Sequence, residues 1–316
     1  MKILANDGIS ESGKNKLEEY GFEVDLTKVS QEQLVAYIND NQIIVILVRS
    51  ATQVRGDIID NCPSIKIIGR GGVGMDNIDV DYAKSKGINV INTPAASSKS
   101  VAELVFSHLF GCVRFLHESN RSMPLDGDSK FKELKKSYAG GKELAGKKIG
   151  IIGFGRIGQE VAKIAIGIGM NVIFYDKYIE ETSLDIEFFD GQNITFNLVS
   201  STFDEVLENS DFISVHIPAS DKYIIDSKEI GKMKDGVGLL NLSRGGIVNE
   251  EELLKSINSG KISFAGIDTF ENEPVPSMKL LMNSNISLTP HIGAATSEAQ
   301  DRIGVELADK INEILN

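Results

Sequence analysis

The sequence predicts an α/β protein of two domains, each built on a parallel sheet flanked by helices. Three observations lead there. The chain has 316 residues, room for two domains at roughly 150 residues each. Short β-rich runs alternate with helical stretches almost from end to end, the pattern of parallel strands joined by helical crossovers. A glycine-rich strand-to-helix turn falls near the middle of the chain, so a second α/β unit starts there and the first hundred residues form another.

The strands expected in the first half are Lys2–Ala5, Glu23–Leu26, Ile43–Val48, Ile65–Ile68 and Asn89–Ile91. Between them Ser30-x-x-Gln33, ahead of Leu34, Ala36 and Ile38, has the form of a capping box. Lys99 to Arg121 is the longest helical pattern, with Val101, Leu104, Val105, His108, Leu109, Cys112 and Leu116 on one stripe. A helix there would pass from one domain to the other, and Met123 to Lys147 would follow as an exposed connection. The second half carries Lys148–Ile152, Asn171–Tyr175, Phe212–His216, Gly238–Asn241, Phe264–Ile267 and Ile286–Thr289. Ile186 to Phe196 breaks the alternation and reads as an exposed hairpin turning at Asp190-Gly191, outside the active crevice. Ser297-x-x-Gln300 opens a last helix with Ile303, Leu307, Ile311 and Ile314 on one face.

Composition narrows the function. The chain is 41% hydrophobic and 25% charged, ordinary for a globular protein. Its longest apolar run, Ile43 to Val48, is far short of the roughly 20 residues of a membrane helix, and the N-terminus has no apolar core of a signal peptide. A cytoplasmic location is the simplest expectation. The two cysteines, Cys62 and Cys112, support neither a metal cluster nor a disulfide framework. A net charge of −12 argues against nucleic acid and anionic membrane as partners. It leaves room for a small anionic substrate where arginines cluster.

Lys148–Ile152 runs into Gly153-Phe154-Gly155-Arg156-Ile157-Gly158, and a helical stretch follows. Asp176 lies 18 residues past Gly158, directly after the next strand. A strand before, a helix after and an acid at the following strand end mark a dinucleotide site of Rossmann type. Gly153 permits the tight turn, Gly155 the approach of a pyrophosphate to the helix N-terminus, and Gly158 close helix–strand packing. Asp176 would accept the ribose hydroxyls and repel a 2′-phosphate, which favours NAD over NADP.

Side chains past strand ends face the ligand crevice of a parallel sheet. His216-Ile217-Pro218 lies there and either borders the cofactor or holds a buried structural histidine. Arg244 follows Asn241-Leu242-Ser243. Asp268 and Glu273 follow Phe264–Ile267. His291 lies in Thr289-Pro290-His291-Ile292-Gly293-Ala294, where it suits a general acid and base. Of the other two histidines, His108 reads as a core or domain-interface residue and His117 as solvated. An arginine, a carboxylate and a histidine beside a dinucleotide fold suit hydride exchange with a 2-keto acid. The arginine would hold the carboxylate and polarise the carbonyl, the histidine would move the proton, and the acid would orient the histidine.

These motifs together resemble the D-2-hydroxyacid dehydrogenases over essentially the whole chain. The resemblance rests on Gly153–Gly158 with Asp176, Asn241–Gly246, Asp268-Thr269-Phe270 through Glu273-Pro274, and Pro290–Ala294. The spacing agrees too, with 29 residues from Arg244 to Glu273 and 18 more to His291. It implies two Rossmann-like domains with the active site in the cleft between them. The substrate domain would be discontinuous, residues 1–98 with 293–316, and residues 99–292 would bind NAD. It also implies a catalytic set of Arg244, Glu273 and His291, and a homodimer or dimer-based oligomer. The cofactor residues would be Val73, the Gly153–Gly158 turn with Arg156 and Ile157, Asp176, His216, Ile217, Pro218, Leu242, Ser243, Asp268, Gly293 and Ala294, with Asp268 meeting the nicotinamide carboxamide.

The loops Val48-Arg49-Ser50-Ala51-Thr52 and Gly69-Arg70-Gly71-Gly72-Val73-Gly74 resemble those that bind a phosphorylated substrate. Arg49, Ser50 and Arg70 would meet the phosphate end, and the amides of Gly71 and Gly72 would meet the carboxylate, beside Arg244 and His291. The implied reaction is oxidation of D-3-phosphoglycerate by NAD to 3-phosphohydroxypyruvate, the entry to serine synthesis. The alternatives are a dehydrogenase for glycerate, lactate or another D-2-hydroxy acid, and an NAD-sensing protein like the corepressors that share the fold. Two departures stand out. Thr269 replaces the usual Val, and the chain ends after one terminal helix, without the regulatory domain of longer relatives, which puts serine feedback of the usual kind in doubt. The stretch from Asp176 to Asp211 is also longer than usual, in keeping with the hairpin.

Overall fold

A computed structural model describes residues 1–316. The chain divides into two compact units, residues 1–100 with 294–316, and residues 101–293.

The first unit is built on five strands, β1 (Lys2–Ala5), β2 (Glu23–Asp25), β3 (Val45–Val48), β4 (Ile67–Arg70) and β5 (Asn89–Asn92). They pair in the order β2-β1-β3-β4-β5, all parallel. Alternate residues face opposite sides, as the period of a strand requires. Leu4, Ile46 and Ile68 pack with Leu34, Ile38 and Ile58 on one face. Ile3, Val45 and Ile67 pack with Leu17, Ile303, Leu307 and Ile311 on the other. The helices Glu11–Glu19 and Ser297–Leu315 lie together on this second face. They approach so closely that a Cβ on Gly13 would stand 2.5 Å from the Gly304 Cα.

One helix start agrees with expectation and one differs. The last helix opens at Ser297, with Thr296 as its cap, the hydroxyl accepting from the Ala299 amide. Both are good caps by composition, but Thr296 has the extended backbone that a cap requires. Ser30 makes no capping bond; it precedes a short 3₁₀ turn, Gln31–Gln33, before the helix Leu34–Asp40. Ile314 faces outward and is exposed.

The second unit holds β6 (Lys148–Ile152), β7 (Asn171–Tyr175), β8 (Glu181–Glu187), β9 (Asn193–Val199), β10 (Phe212–Val215), β11 (Val237–Asn241), β12 (Ile262–Ile267) and β13 (Ile286–Leu288). Six of them form a parallel sheet in the order β13-β12-β11-β10-β6-β7. From β6 the chain goes outward to β7 and then returns past β6 to β10. The carboxyl ends of β6 and β10 therefore flank a switch point, the place where parallel sheets hold their ligands. In the first unit β1 and β3 stand in the same relation.

The stretch read as one helix to Arg121 is broken. The helix Ser98–Val113 stops, and Phe115 takes a left-handed backbone, φ 52°. Residues 116–126 form a second helix that runs on past Arg121, and residues 131–137 form a third inside the expected exposed connection. No helix is long and apolar enough to cross a membrane.

The hairpin is present and longer than expected, β8 and β9 pairing antiparallel over seven residues each. Its tip is open, with Phe189 fully exposed. Its base is not, because Leu184 is buried in the core of the second unit with Val161, Ala165 and Phe174. Tip and base should therefore behave differently. Shortening residues 188–192 to a two-residue turn is expected to change the unfolding free energy by less than about 0.5 kcal/mol. Leu184→Ala should cost about 2–4 kcal/mol by leaving a cavity. Denaturant titration of both variants checks this, and equal effects would contradict it.

Candidate active site

The glycine turn is closed by sterics. Gly153 has φ 91°, and a Cβ there would lie 2.4 Å from the His216 carbonyl oxygen. A Cβ on Gly158 would lie 2.2 Å from the Gly153 carbonyl oxygen. Gly155 has open space where its side chain would be, and it precedes the 12-residue helix Arg156–Gly167 without a side-chain cap on the first amides. Close packing inside and an open, uncapped helix end outside make a cradle for a diphosphate.

Asp176 follows β7. Its Oδ2 accepts from the Phe154 amide at 2.6 Å and its Oδ1 from the amides of Tyr178 and Ile179. The carboxylate thus fixes the glycine turn as well as presenting acceptor oxygens, each with further capacity for a ribose hydroxyl. His216 follows β10, with Ser214 Oγ 2.7 Å from its Nε2 and its buried Nδ1 without a partner. Burial pushes its imidazole down to about 3, so the ring is neutral at the switch point. A half-buried Ile217 and an exposed Pro218 follow. Open cradle, carboxylate and orphaned ring nitrogen fit a dinucleotide.

Past β11, the Asn241 side chain clamps its own loop. Its Oδ1 accepts from the Ser243 amide and hydroxyl, and its Nδ2 donates to the Arg244 carbonyl. Leu242 and Ser243 are buried, while Arg244 is half-buried with Nη1 on the Ser243 carbonyl at 2.7 Å. Gly245 is required here, because a Cβ would overlap the Phe270 carbonyl.

Past β12, Asp268 is 1% exposed. Its Oδ1 accepts from the Thr289 hydroxyl at 2.5 Å and the Ile292 amide at 2.9 Å, and its Oδ2 from the Gly293 amide at 2.9 Å. Burial pushes its carboxyl above the ordinary value, and these three bonds oppose that. The loop so held puts His291 at φ 54°, with its Nδ1 2.9 Å from Glu273 Oε2. Glu273 is fixed in turn, since its other oxygen accepts from the Phe270 amide. Thr269, in place of Val, has a buried hydroxyl without a partner.

In the first unit, Arg49 follows β3 and Arg70 is the last residue of β4. The Arg49 amide donates to Asp7, whose carboxylate also takes the Thr52 amide and hydroxyl. Ser50 and Val73 are exposed. The Arg70 guanidinium turns back to the Gly71 carbonyl and fills the space over Gly72, where a Cβ would collide with it. One expectation fails here. The amides of Gly71 and Gly72 donate to the carbonyls of Val48 and Arg70, so they are engaged by their own loop rather than offered to a carboxylate. Ala294 also belongs to this unit, its carbonyl accepting from the Gln300 side chain.

Several residues that hold the sites were not singled out from sequence: Asp7, Asn241, Ser214 and Thr289. Asn241 and Thr289 carried a usable signal, a polar residue at a strand end next to a candidate catalytic one.

Residues 106–293 match the family model described as D-isomer specific 2-hydroxyacid dehydrogenase, NAD binding domain. The chain belongs to the D-2-hydroxyacid dehydrogenase family. It is an NAD-dependent enzyme of that family, with the cofactor cradle in the second unit. A hydroxypyruvate reductase of Thermotoga maritima is 42% identical over 316 residues, 98% of this chain and 97% of that protein. A D-3-phosphoglycerate dehydrogenase of Methanocaldococcus jannaschii is 39% identical over 320 residues, and the chain spans only 57% of its length. Among solved structures, a glyoxylate reductase from Paecilomyes thermophila superposes with a TM-score of 0.81 at 28% identity, covering 98% of this chain and 94% of that one.

Cofactor choice follows from Asp176. Asp176→Ala should narrow the preference for NAD over NADP at least tenfold by removing the charge that repels a 2′-phosphate. The substitution also loosens the glycine turn, which weakens both cofactors, so the ratio of their kcat/KM values is the readout. A ratio unchanged from the parent enzyme would rule the role out.

Proposed function

We propose that this dehydrogenase interconverts D-3-phosphoglycerate and 3-phosphohydroxypyruvate, with Arg244, Glu273 and His291 as its catalytic residues. The observation that carries the chemistry is the 2.9 Å contact between His291 Nδ1 and Glu273 Oε2. A carboxylate there favours the Nδ1–H form and leaves Nε2 as a lone-pair acceptor. In oxidation His291 Nε2 takes the hydroxyl proton as the hydride leaves C2, and in reduction it returns that proton to the carbonyl oxygen. NAD, when bound, supplies the hydride acceptor. Arg244 pairs with the substrate carboxylate and polarises the C2 oxygen. Glu273 stabilises the imidazolium formed during oxidation.

The phosphorylated substrate is proposed from Arg49 and Arg70. They stand at the carboxyl ends of neighbouring strands that pair Val48 with Arg70, in a chain of net charge −12. A phosphate carries nearly two negative charges, and only local arginines offset such a field. With the Gly71 and Gly72 amides engaged, Arg244 is left as the principal ligand of the substrate carboxylate. The placement of this reaction at the entry to serine synthesis, in the cytoplasm, belongs to the same reading. A homodimer accords with exposed apolar side chains along one stretch, Leu116, Met123, Leu125 and Phe131.

A second reading is reduction of hydroxypyruvate, favoured by the nearly full-length match to the Thermotoga maritima protein of that name. The two share every catalytic residue and differ only in the phosphate. One charge-assisted contact is worth about 1.5–3 kcal/mol, roughly ten- to a hundredfold in affinity. Arg70→Ala should therefore lower kcat/KM for D-3-phosphoglycerate by that factor and leave D-glycerate within about threefold. Arg244→Ala should damage both alike. Steady-state kinetics of both variants on both substrates is the test. Equal losses in Arg70→Ala would remove the phosphate role and favour the unphosphorylated substrate.

A further inference from the structure

A line of polar side chains runs through the second unit behind the catalytic loop. His117 Nε2 lies 2.8 Å from Ser287 Oγ, Ser287 Oγ lies 2.7 Å from His108 Nδ1, and His108 Nε2 lies 3.0 Å from Thr289 Oγ1. Thr289 then donates to Asp268. His108 is 3% exposed. Its place is prepared by Gly266 of β12, where a Cβ would lie 2.9 Å from the His108 Cβ. A buried histidine bonded through both ring nitrogens differs from a histidine that merely fills a core.

The direction of every bond in this line can be deduced. Both Asp268 oxygens already accept amide N–H groups, so the Thr289 hydroxyl uses its one proton on Asp268. Thr289 must then accept from His108, which fixes the proton of His108 on Nε2. Burial pushes this imidazole down to about 4, so the ring is neutral and Nδ1 is an acceptor. Ser287 therefore donates to Nδ1 and accepts in turn from His117 Nε2. The donors all point one way, towards the Asp268 carboxylate.

We infer that His108 is a positioning residue for the dehydrogenase reaction, its Nε2–H orienting the Thr289 hydroxyl onto Asp268 and so fixing the loop that carries His291. The inference rests on the proposed role of His291 for its kinetic consequence, though not for its geometry. Without the Nε2–H donor the Thr289 hydroxyl is free to turn, and Asp268 loses one of three bonds that hold the loop. A misplacement of about 1 Å at a reacting group costs up to about a hundredfold in rate.

Two measurements test this. The imidazole ¹⁵N shifts of His108 in the whole protein should report the Nε2–H tautomer at neutral pH. The Nδ1–H tautomer, or a charged ring, would overturn the assignment whatever the substrate. In NADH-linked reduction of 3-phosphohydroxypyruvate, His108→Leu should lower kcat ten- to a hundredfold with the KM for NADH changed less than threefold. His108→Gln can still donate to Thr289 and should stay within about fivefold of the parent. His108→Asn reaches only the Nδ1 position and should resemble His108→Leu. A folded His108→Leu of unchanged kcat, or equal losses in all three variants, would overturn the positioning role. Failure of the parent enzyme to reduce 3-phosphohydroxypyruvate would count against the proposed function, while the tautomer would still decide this inference.

Discussion

Asp268 carries a carboxylate into the interior at the end of β12. Such a group is costly to bury unless donors satisfy it. Here one hydroxyl and two amides do so, and all three belong to the segment from Thr289 to Gly293. The carboxylate's need for donors and the loop's need for a fixed shape are met by the same bonds. Hydrogen bonds to a charged group contribute roughly 1.5–3 kcal/mol each, whereas one non-glycine residue in a left-handed backbone costs about 1–2 kcal/mol. Three such bonds offset part of the cost of burying Asp268 and hold the loop in which His291 has φ 54°. The histidine therefore meets Glu273 from a backbone it would not adopt alone.

The cofactor side depends on the same economy of space. At the switch point, where the order of the strands reverses, Gly153 past β6 and the His216 carbonyl past β10 leave no room for a side chain. Asp176 then ties the turn to β7 through the Phe154 amide. Both halves of the chemistry hang on carboxylates past strand ends that bond to backbone amides. In the first unit Asp7 does the same for the loop from Arg49 to Thr52. Each loop is held by one acid from a neighbouring strand, so the sheet sets the positions of groups that lie beyond it.

Most of the architecture was legible in the sequence because its signals are local. Val45–Val48 is buried at every residue, and such continuous apolar runs between helical stretches announce parallel strands. The glycine turn and the Asp-Gly hairpin were readable for the same reason. Local signals failed where neighbours compete. Ser30 heads a capping-box pattern, yet it makes no capping bond and precedes a 3₁₀ turn. The break at Phe115 has no glycine or proline to mark it. The amides of Gly71 and Gly72 were misjudged because their acceptors belong to the strand ends around them. The partnership of His108 with Thr289 spans 181 residues of sequence, and no period or spacing could reveal it.

The position of His291 depends on Asp268 holding the loop. Amide hydrogen exchange at Ile292 and Gly293, compared between the parent enzyme and Asp268→Asn, measures this directly. Asparagine keeps the shape but replaces one acceptor oxygen by a donor and removes the charge. If Asp268 holds the loop, the amides are protected in the parent and exchange at least tenfold faster at both positions in the variant, with the amides of β12 and β13 unchanged. Equal protection in the two proteins would contradict it.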